Sequence, residues 1–359
     1  MVSGGTTSEP VRRRHPALPD GIDQVTPHWL TTELGSDVTD VRAEQIAMDS
    51  GFSSLLYRLH LTGDGVPSTL IAKLPAVSEA RGAMELLGGY RRELEFYRNV
   101  AGHAPIATPR VYAARMAPDS VDFILLLEDL QAWDNADHLA GLSLNRARLC
   151  IEQLAGLHAW SANPANAAAL EKFPSIDTPI ARDLLVPAFA PGWQVYLENC
   201  AGPVPARVAD FAEDFAQRAV AALPALTERD MLLHGDIRAD NLFFNGDEMK
   251  VVDFQFAARG CGAADIAYLV TQGLRSREGR DEALVKEYLE HLVAHGVMDY
   301  SFDDAWRHYR YAAVYLMVLP VITLNGWAAL PERSRQLCLT LTDRAVAAID
   351  EIDALEVFE

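Results

Sequence analysis

The stretch LLHGDIRADNLFFNGDEMKVVDFQ, Leu232 to Gln255, constrains this chain more than any other. The runs LFF and VVDF have strand composition, and Asn245, Gly246 and Asp247 between them supply turn chemistry, which predicts a β-hairpin. Folding it about a centre near Asp247 sets Asn241 opposite Asp253 at the open end, or diagonal to it if the turn type shifts the register by one. Asp236 lies upstream on a non-strand segment that must pass the same open end. A carboxylate and an amide oxygen suit a hard cation such as Mg²⁺, which takes one or two protein carboxylates plus substrate phosphates. A further carboxylate clear of the metal can orient an attacking hydroxyl and finally deprotonate it. The plainer alternative makes His234, Asp236, Asp240 and Asn241 an ordinary polar turn.

Upstream the pattern is strand-like. SSLLYRLHL alternates Leu55, Tyr57, Leu59 and Leu61 on one face, TGDG turns, and STLIAKL returns, a hairpin that VRAEQIAMD can join. From Ala83 to Val100 the period becomes helical, with Leu86, Tyr90, Glu93, Tyr97 and Val100 on one stripe. Lys73 ends an apolar strand and Glu93 interrupts an apolar stripe, so each charge needs a partner and each answers the other. VDFILLLEDL reads as a strand buried on both faces that stops at Glu128 and Asp129. Beyond it the chain turns helical, with Ser143 as N-cap for a helix aligning Leu144, Ala147, Ile151, Leu154 and His158.

At 359 residues the chain exceeds the usual single core. The change near Glu128 to Leu130 predicts an α+β chain with a flexible segment 1–20, a small β-rich N-terminal nucleotide-binding lobe over 21–128, and a larger α-helical catalytic and substrate-binding lobe over 129–359. A net charge of -19 argues against nucleic acid or anionic membranes as partners. The apolar run Tyr311 to Leu324 is too short to span a bilayer and carries Pro320, so a buried, interrupted helix is expected. Cys150, Cys200, Cys261 and Cys338 form no CxxC pair, which fits reduced thiols and a cytoplasmic location.

LLHGDIRADNLFF followed by VVDFQ resembles the HGDxxxxN and strand-terminal Asp motifs of the aminoglycoside phosphotransferase and choline kinase-like superfamily, nearest its ecdysteroid kinase-like branch. SGFSSLLYRLHL, IAKLP, YRRELEFY, FILLLEDL, QLAGLHAW and GAADIAYLV stand in the order such enzymes use, so the resemblance covers most of the chain. It implies a bilobal protein kinase-like fold that moves the γ-phosphoryl group of ATP, with Mg²⁺, to a hydroxyl of a small molecule. It further implies Asp236 as catalytic base, Asn241 and Asp253 as Mg²⁺ ligands, and Lys73 on the nucleotide phosphates with Glu93 paired to it. Ser53 and Ser54, in the segment from Gly51, would cover the phosphates. The backbone from Glu128 to Leu130 would meet the adenine, and Asp265 would brace the catalytic loop.

The chain departs from protein kinases in lacking GxGxxG, in reading DFQ for DFG, and in showing no activation segment between Asp253 and Asp265, which argues against protein substrates. His234 is expected to hold its loop rather than act as a base, and His158 to brace the core. Trp133 and Trp193 either pack or line a substrate pocket, and the resemblance implies acceptor-binding residues within Ala162 to Pro224 and Tyr300 to Leu330. Two other functions compete: a nucleotide-binding regulatory protein without transfer activity, and a metal-dependent hydrolase, which leaves Lys73 and Glu93 unexplained.

Overall fold

The computed structural model describes residues 17–46, 54–77 and 79–359. Most of the expected flexible N-terminal segment, together with Gly51 to Ser53 of the expected phosphate-covering segment, lies outside the described residues.

Strands β1 (Val38–Ile46), β2 (Ser54–Gly63), β3 (Thr69–Pro75), β4 (Val111–Met116) and β5 (Phe123–Glu128) form one antiparallel sheet in the order β1-β2-β3-β5-β4. Both of its faces are covered. Leu59, Leu70, Ala72, Leu74, Ile124 and Leu126 pack against Trp29 and Leu30 of helix α1 (Pro27–Leu34). Phe123, Leu125 and Leu127 point the other way into the main core, where Phe123 meets Tyr90 with ring centroids 5.0 Å apart. Two-sided burial is why FILLL is continuously apolar rather than alternating.

Between β3 and β4 the expected single helix is two. Helix α2 (Glu79–Leu87) ends at Gly88, whose φ of 71° is left-handed, and helix α3 (Gly89–Asn99) restarts with a new phase. The break corrects the expected stripe. Tyr90, Glu93, Tyr97 and Val100 are buried as one face, whereas Leu86 lies before the break and is 61% exposed.

After β5 the chain passes through the short strand β6 (Asp134–Asn135) into helix α4 (Leu144–Ala162), capped by the Ser143 hydroxyl accepting from the Arg146 N–H. Buried Ala147, Ile151, Leu154 and His158 form its inner face. Strand β7 (Met231–Leu233) pairs with β10 (Ala258–Gly260), and β8 (Leu242–Asn245) with β9 (Glu248–Val251) makes the expected hairpin. The rest is mostly helical, including Phe189–Asn199, Asp281–Ala294, Phe302–Tyr315 and Glu332–Glu351. The apolar run around Tyr311 is interrupted as expected: one helix ends at Tyr315 and a short one, Val318–Thr323, follows with Pro320 in its first turn, where a missing N–H costs nothing. Among the described residues no helix is long and apolar enough to cross a membrane. The whole is an α+β arrangement with a β-rich N-terminal part and a helical C-terminal part.

Candidate active site

The hairpin turns more tightly than its sequence centre suggests. Asn245 pairs with Glu248 and Leu242 with Val251, so Gly246 and Asp247 alone form the turn. Extending that register sets Asn241 against Val252, whose N–H donates to the Asn241 carbonyl at 3.0 Å. Asp253 is therefore diagonal to Asn241 rather than opposite it, the shifted register that a two-residue turn dictates. Asp253 itself has φ 68°, a left-handed conformation that asparagine and aspartate tolerate better than other residues with a Cβ.

Asp236 sits in the loop between β7 and β8, where Gly235 has φ 79° and a Cβ would lie 2.2 Å from the Phe256 carbonyl oxygen. Asn241 Nδ2 donates to the Asp236 carbonyl at 2.8 Å and reaches its Oδ2 at 3.4 Å. With its amide nitrogen so committed, Asn241 has Oδ1 as the end that can meet a cation. Arg238 Nε lies 3.0 Å from Asp236 Oδ1, and Tyr268 donates its hydroxyl to the same oxygen at 3.3 Å. Attraction to Asp236 outweighs burial and raises the Arg238 pKa, while burial and then the Asp236 charge hold the Tyr268 phenol well above its ordinary value. Both groups therefore keep their protons and donate.

Three braces hold this loop. Asp265 accepts the backbone N–H groups of His234 and Gly235 at 2.6 and 3.0 Å and pairs with His158 Nε2 at 3.2 Å. Burial acts to raise the Asp265 pKa, but the His158 contact, the nearby histidines and the Gly235 N–H more than offset it and leave the carboxyl below its ordinary value. His234 accepts the Asp236 N–H on Nδ1 at 3.2 Å, so its Nε2 carries the proton and donates to the Val252 carbonyl at 3.0 Å. His138 accepts the Ala239 N–H on Nδ1 at 2.8 Å and donates its backbone N–H to Asp240 Oδ1 at 3.0 Å. Burial first, then Arg238 and Arg344, push the His138 pKa down to about 3, which keeps Nδ1 an acceptor.

Lys73 reaches in from β3. Its Nζ lies 2.8 Å from Glu93 Oε1 and 3.3 Å from Asp253 Oδ1. Burial acts to lower the Lys73 pKa, and Asp253 with Glu93 more than offset it, so the ammonium persists. Asp253 is held below its ordinary value against burial by Lys73, Arg238 and His234, whereas burial dominates at Glu93 and raises it. Ser54 is buried, and its Oγ accepts from Gln255 Nε2 at 3.1 Å. The Glu128 carboxylate is taken by Lys250 Nζ at 2.6 Å and by the Arg110 N–H at 2.9 Å, and Leu130 is buried. Beside them Arg58 Nε grips Asp129 at 2.7 Å.

The two tryptophans part company. Trp193 is buried among Phe189 and Tyr196, hence a packing residue, whereas Trp133 lines a surface cavity of about 530 Å³ with Leu149, Glu152 and Lys250. Sequence reasoning missed Arg238, Tyr268, His138 and Gln255. Arg238 was in plain view beside Asp236. The other three become partners only through tertiary packing.

Among the described residues no cluster of three His, Cys, Asp or Glu side chains forms a metal cage. A cation held by one carboxylate, one amide oxygen and phosphates needs none, and Asn241 with Asp253 fits that donor set.

Known proteins resemble this chain in part of its sequence and in its fold. The methylthioribose kinase of Geobacillus thermodenitrificans is 32% identical over 83 residues, a match that covers 23% of this chain and 21% of that protein, so the chain spans about a fifth of the length of this relative. Over nearly the whole chain the fold matches solved structures at low identity. The GDP complex of wild-type aminoglycoside 2'-phosphotransferase-IIIa superposes with a TM-score of 0.54 at 18% identity, covering 90% of this chain and 99% of that one. Choline kinase from Cryptosporidium parvum superposes with a TM-score of 0.52 at 13% identity, covering 88% and 90%. The fold is thus the bilobal protein kinase-like one. Because the ecdysteroid kinase-like family model matches residues 49–297, well over half of the sequence, this chain belongs to the ecdysteroid kinase-like family.

Proposed function

We propose that the protein is an ATP-dependent phosphotransferase that moves the γ-phosphoryl group to a hydroxyl of a small molecule. The observation that carries this reading is Lys73 bridging Glu93 and Asp253, with Asn241 tied to Asp236 beside them. In this reading residues 21–128 receive the nucleotide and 129–359 supply catalysis and the acceptor site. Lys73 meets the phosphates, held in place by Glu93. The segment ending at Ser54 covers them, and the backbone from Glu128 to Leu130 meets the adenine.

Asn241 Oδ1 and the Asp253 carboxylate would hold Mg²⁺, which when bound neutralises phosphate charge and fixes its geometry. Asp236, an acceptor oriented by donors from Arg238 and Tyr268, positions the incoming hydroxyl and takes its proton late. Positioning and charge neutralisation would provide most of the rate. Four free cysteines support a reducing, cytoplasmic setting.

Screening a metabolite extract for ATP-dependent gain of one phosphoryl group, with GTP in parallel, would identify the acceptor. With it, Asp236→Asn is expected to abolish turnover while MgATP binding stays nearly intact, and Asp253→Asn to abolish turnover through loss of Mg²⁺. Wild-type turnover in either variant overturns the assignment. MgATP binding with no transfer to any acceptor would favour the regulatory reading instead.

A further inference from the structure

Gln255 follows Asp253 by two positions and is 2% exposed. Its Nε2 lies 3.1 Å from Ser54 Oγ and 3.3 Å from Glu93 Oε2. A primary amide carries two N–H donors, so one nitrogen serves both contacts at once. The three residues come from the loop after β9, the first position of β2 and the inner face of α3. Because Glu93 Oε1 is already taken by Lys73 at 2.8 Å, the amide holds the carboxylate's other oxygen. Gln255 also stands on a rigid support. Phe254 before it is fully buried, stacked on Phe96 at 3.4 Å between centroids and set against the His234 ring at 4.6 Å.

We infer that Gln255 is a positioning residue for nucleotide binding: its amide clamps Glu93 and Ser54 together, so that Lys73 and the start of β2 keep a fixed place relative to Asp253. The inference rests on Lys73 gripping phosphates, as in the proposed function. A glutamate of the same shape would fill the space but give Glu93 no donor, and would set a second carboxylate against it. A leucine would fill it without any polar contact.

The test is the affinity of purified full-length variants for two probes, MgATP by calorimetry and adenosine by ligand-observed NMR. Adenosine lacks the phosphates that Lys73 would meet, so a general loosening of the cleft weakens both probes, whereas loss of positioning weakens only MgATP. Gln255→Glu and Gln255→Leu are each expected to weaken MgATP about tenfold and leave adenosine unchanged, and either folded variant suffices. Combining Gln255→Glu with Glu93→Gln restores one donor facing one carboxylate, and should bind MgATP more tightly than the product of the two single losses allows. Unchanged MgATP affinity, equal weakening of both probes, or strictly multiplicative losses would each overturn the inference alone. A wild-type protein that binds no MgATP would overturn the proposed function with it.

Discussion

At the residue scale the site is a set of charges that burial would forbid one by one. Lys73, Glu93 and Asp265 are each under a tenth exposed, and each is kept by a partner of opposite sign or by donated N–H groups. Asp265 offers the cleanest readout. Its folded pKa is depressed, so the stability it supplies is complete above the unfolded aspartate value of about 3.9 and is lost as pH falls through the folded value. Asp265→Asn would turn an amide N–H toward the donors of His234 or Gly235 and should cost about 2–4 kcal/mol near neutrality. In urea unfolding, the gap between wild type and this variant is expected to be constant above about pH 5 and to narrow steadily as pH falls below the unfolded value of about 3.9. A gap that does not narrow at all on acidification below that value would refute the role.

At the element scale, loops and caps do what the apolar periodicity alone did not reveal. Helix α1 escaped the sequence reading although its signals are present: the Thr26 hydroxyl accepts the Trp29 N–H, Pro27 opens the helix and Gly35 closes it at φ 69°. The hairpin composition was legible, but its register depended on whether two or three residues make the turn. Glycines at two breaks separate space from conformation. At Gly88 a Cβ meets nothing within 4 Å, so Gly88→Ala should cost only the left-handed backbone, about 1 kcal/mol, with the wild-type affinity for MgATP retained. At Gly235 the added carbon would strike the Phe256 backbone, so Gly235→Ala should displace the Asp236 loop and cost more than about 2 kcal/mol. Denaturant midpoints decide it, and equal losses at the two sites would contradict the contrast.

At the scale of the whole molecule, Lys73 from the N-terminal sheet meets Asp253 from the C-terminal hairpin. In the proposed function a nucleotide gripped there would tie both parts of the fold together. MgATP at a hundredfold excess over its Kd should stabilise the protein by about 2.7 kcal/mol, read as a rise of several degrees in Tm. Lys73→Met should remove most of that rise relative to its own nucleotide-free Tm, and an undiminished rise would count against the cleft.

The two-part α+β layout was legible because burial on one face, on two faces or along a stripe leaves periods that differ in the sequence itself. The close placing of Asp236, Asn241 and Asp253 was legible because one short hairpin carries or abuts all three. Several of the side chains that brace this region were not. Gln255, Tyr268 and His138 look ordinary in one dimension, and Leu86 looks like core. What decides them is which chain segments pack together and how a helix phase resets at Gly88, and both depend on contacts far apart in sequence.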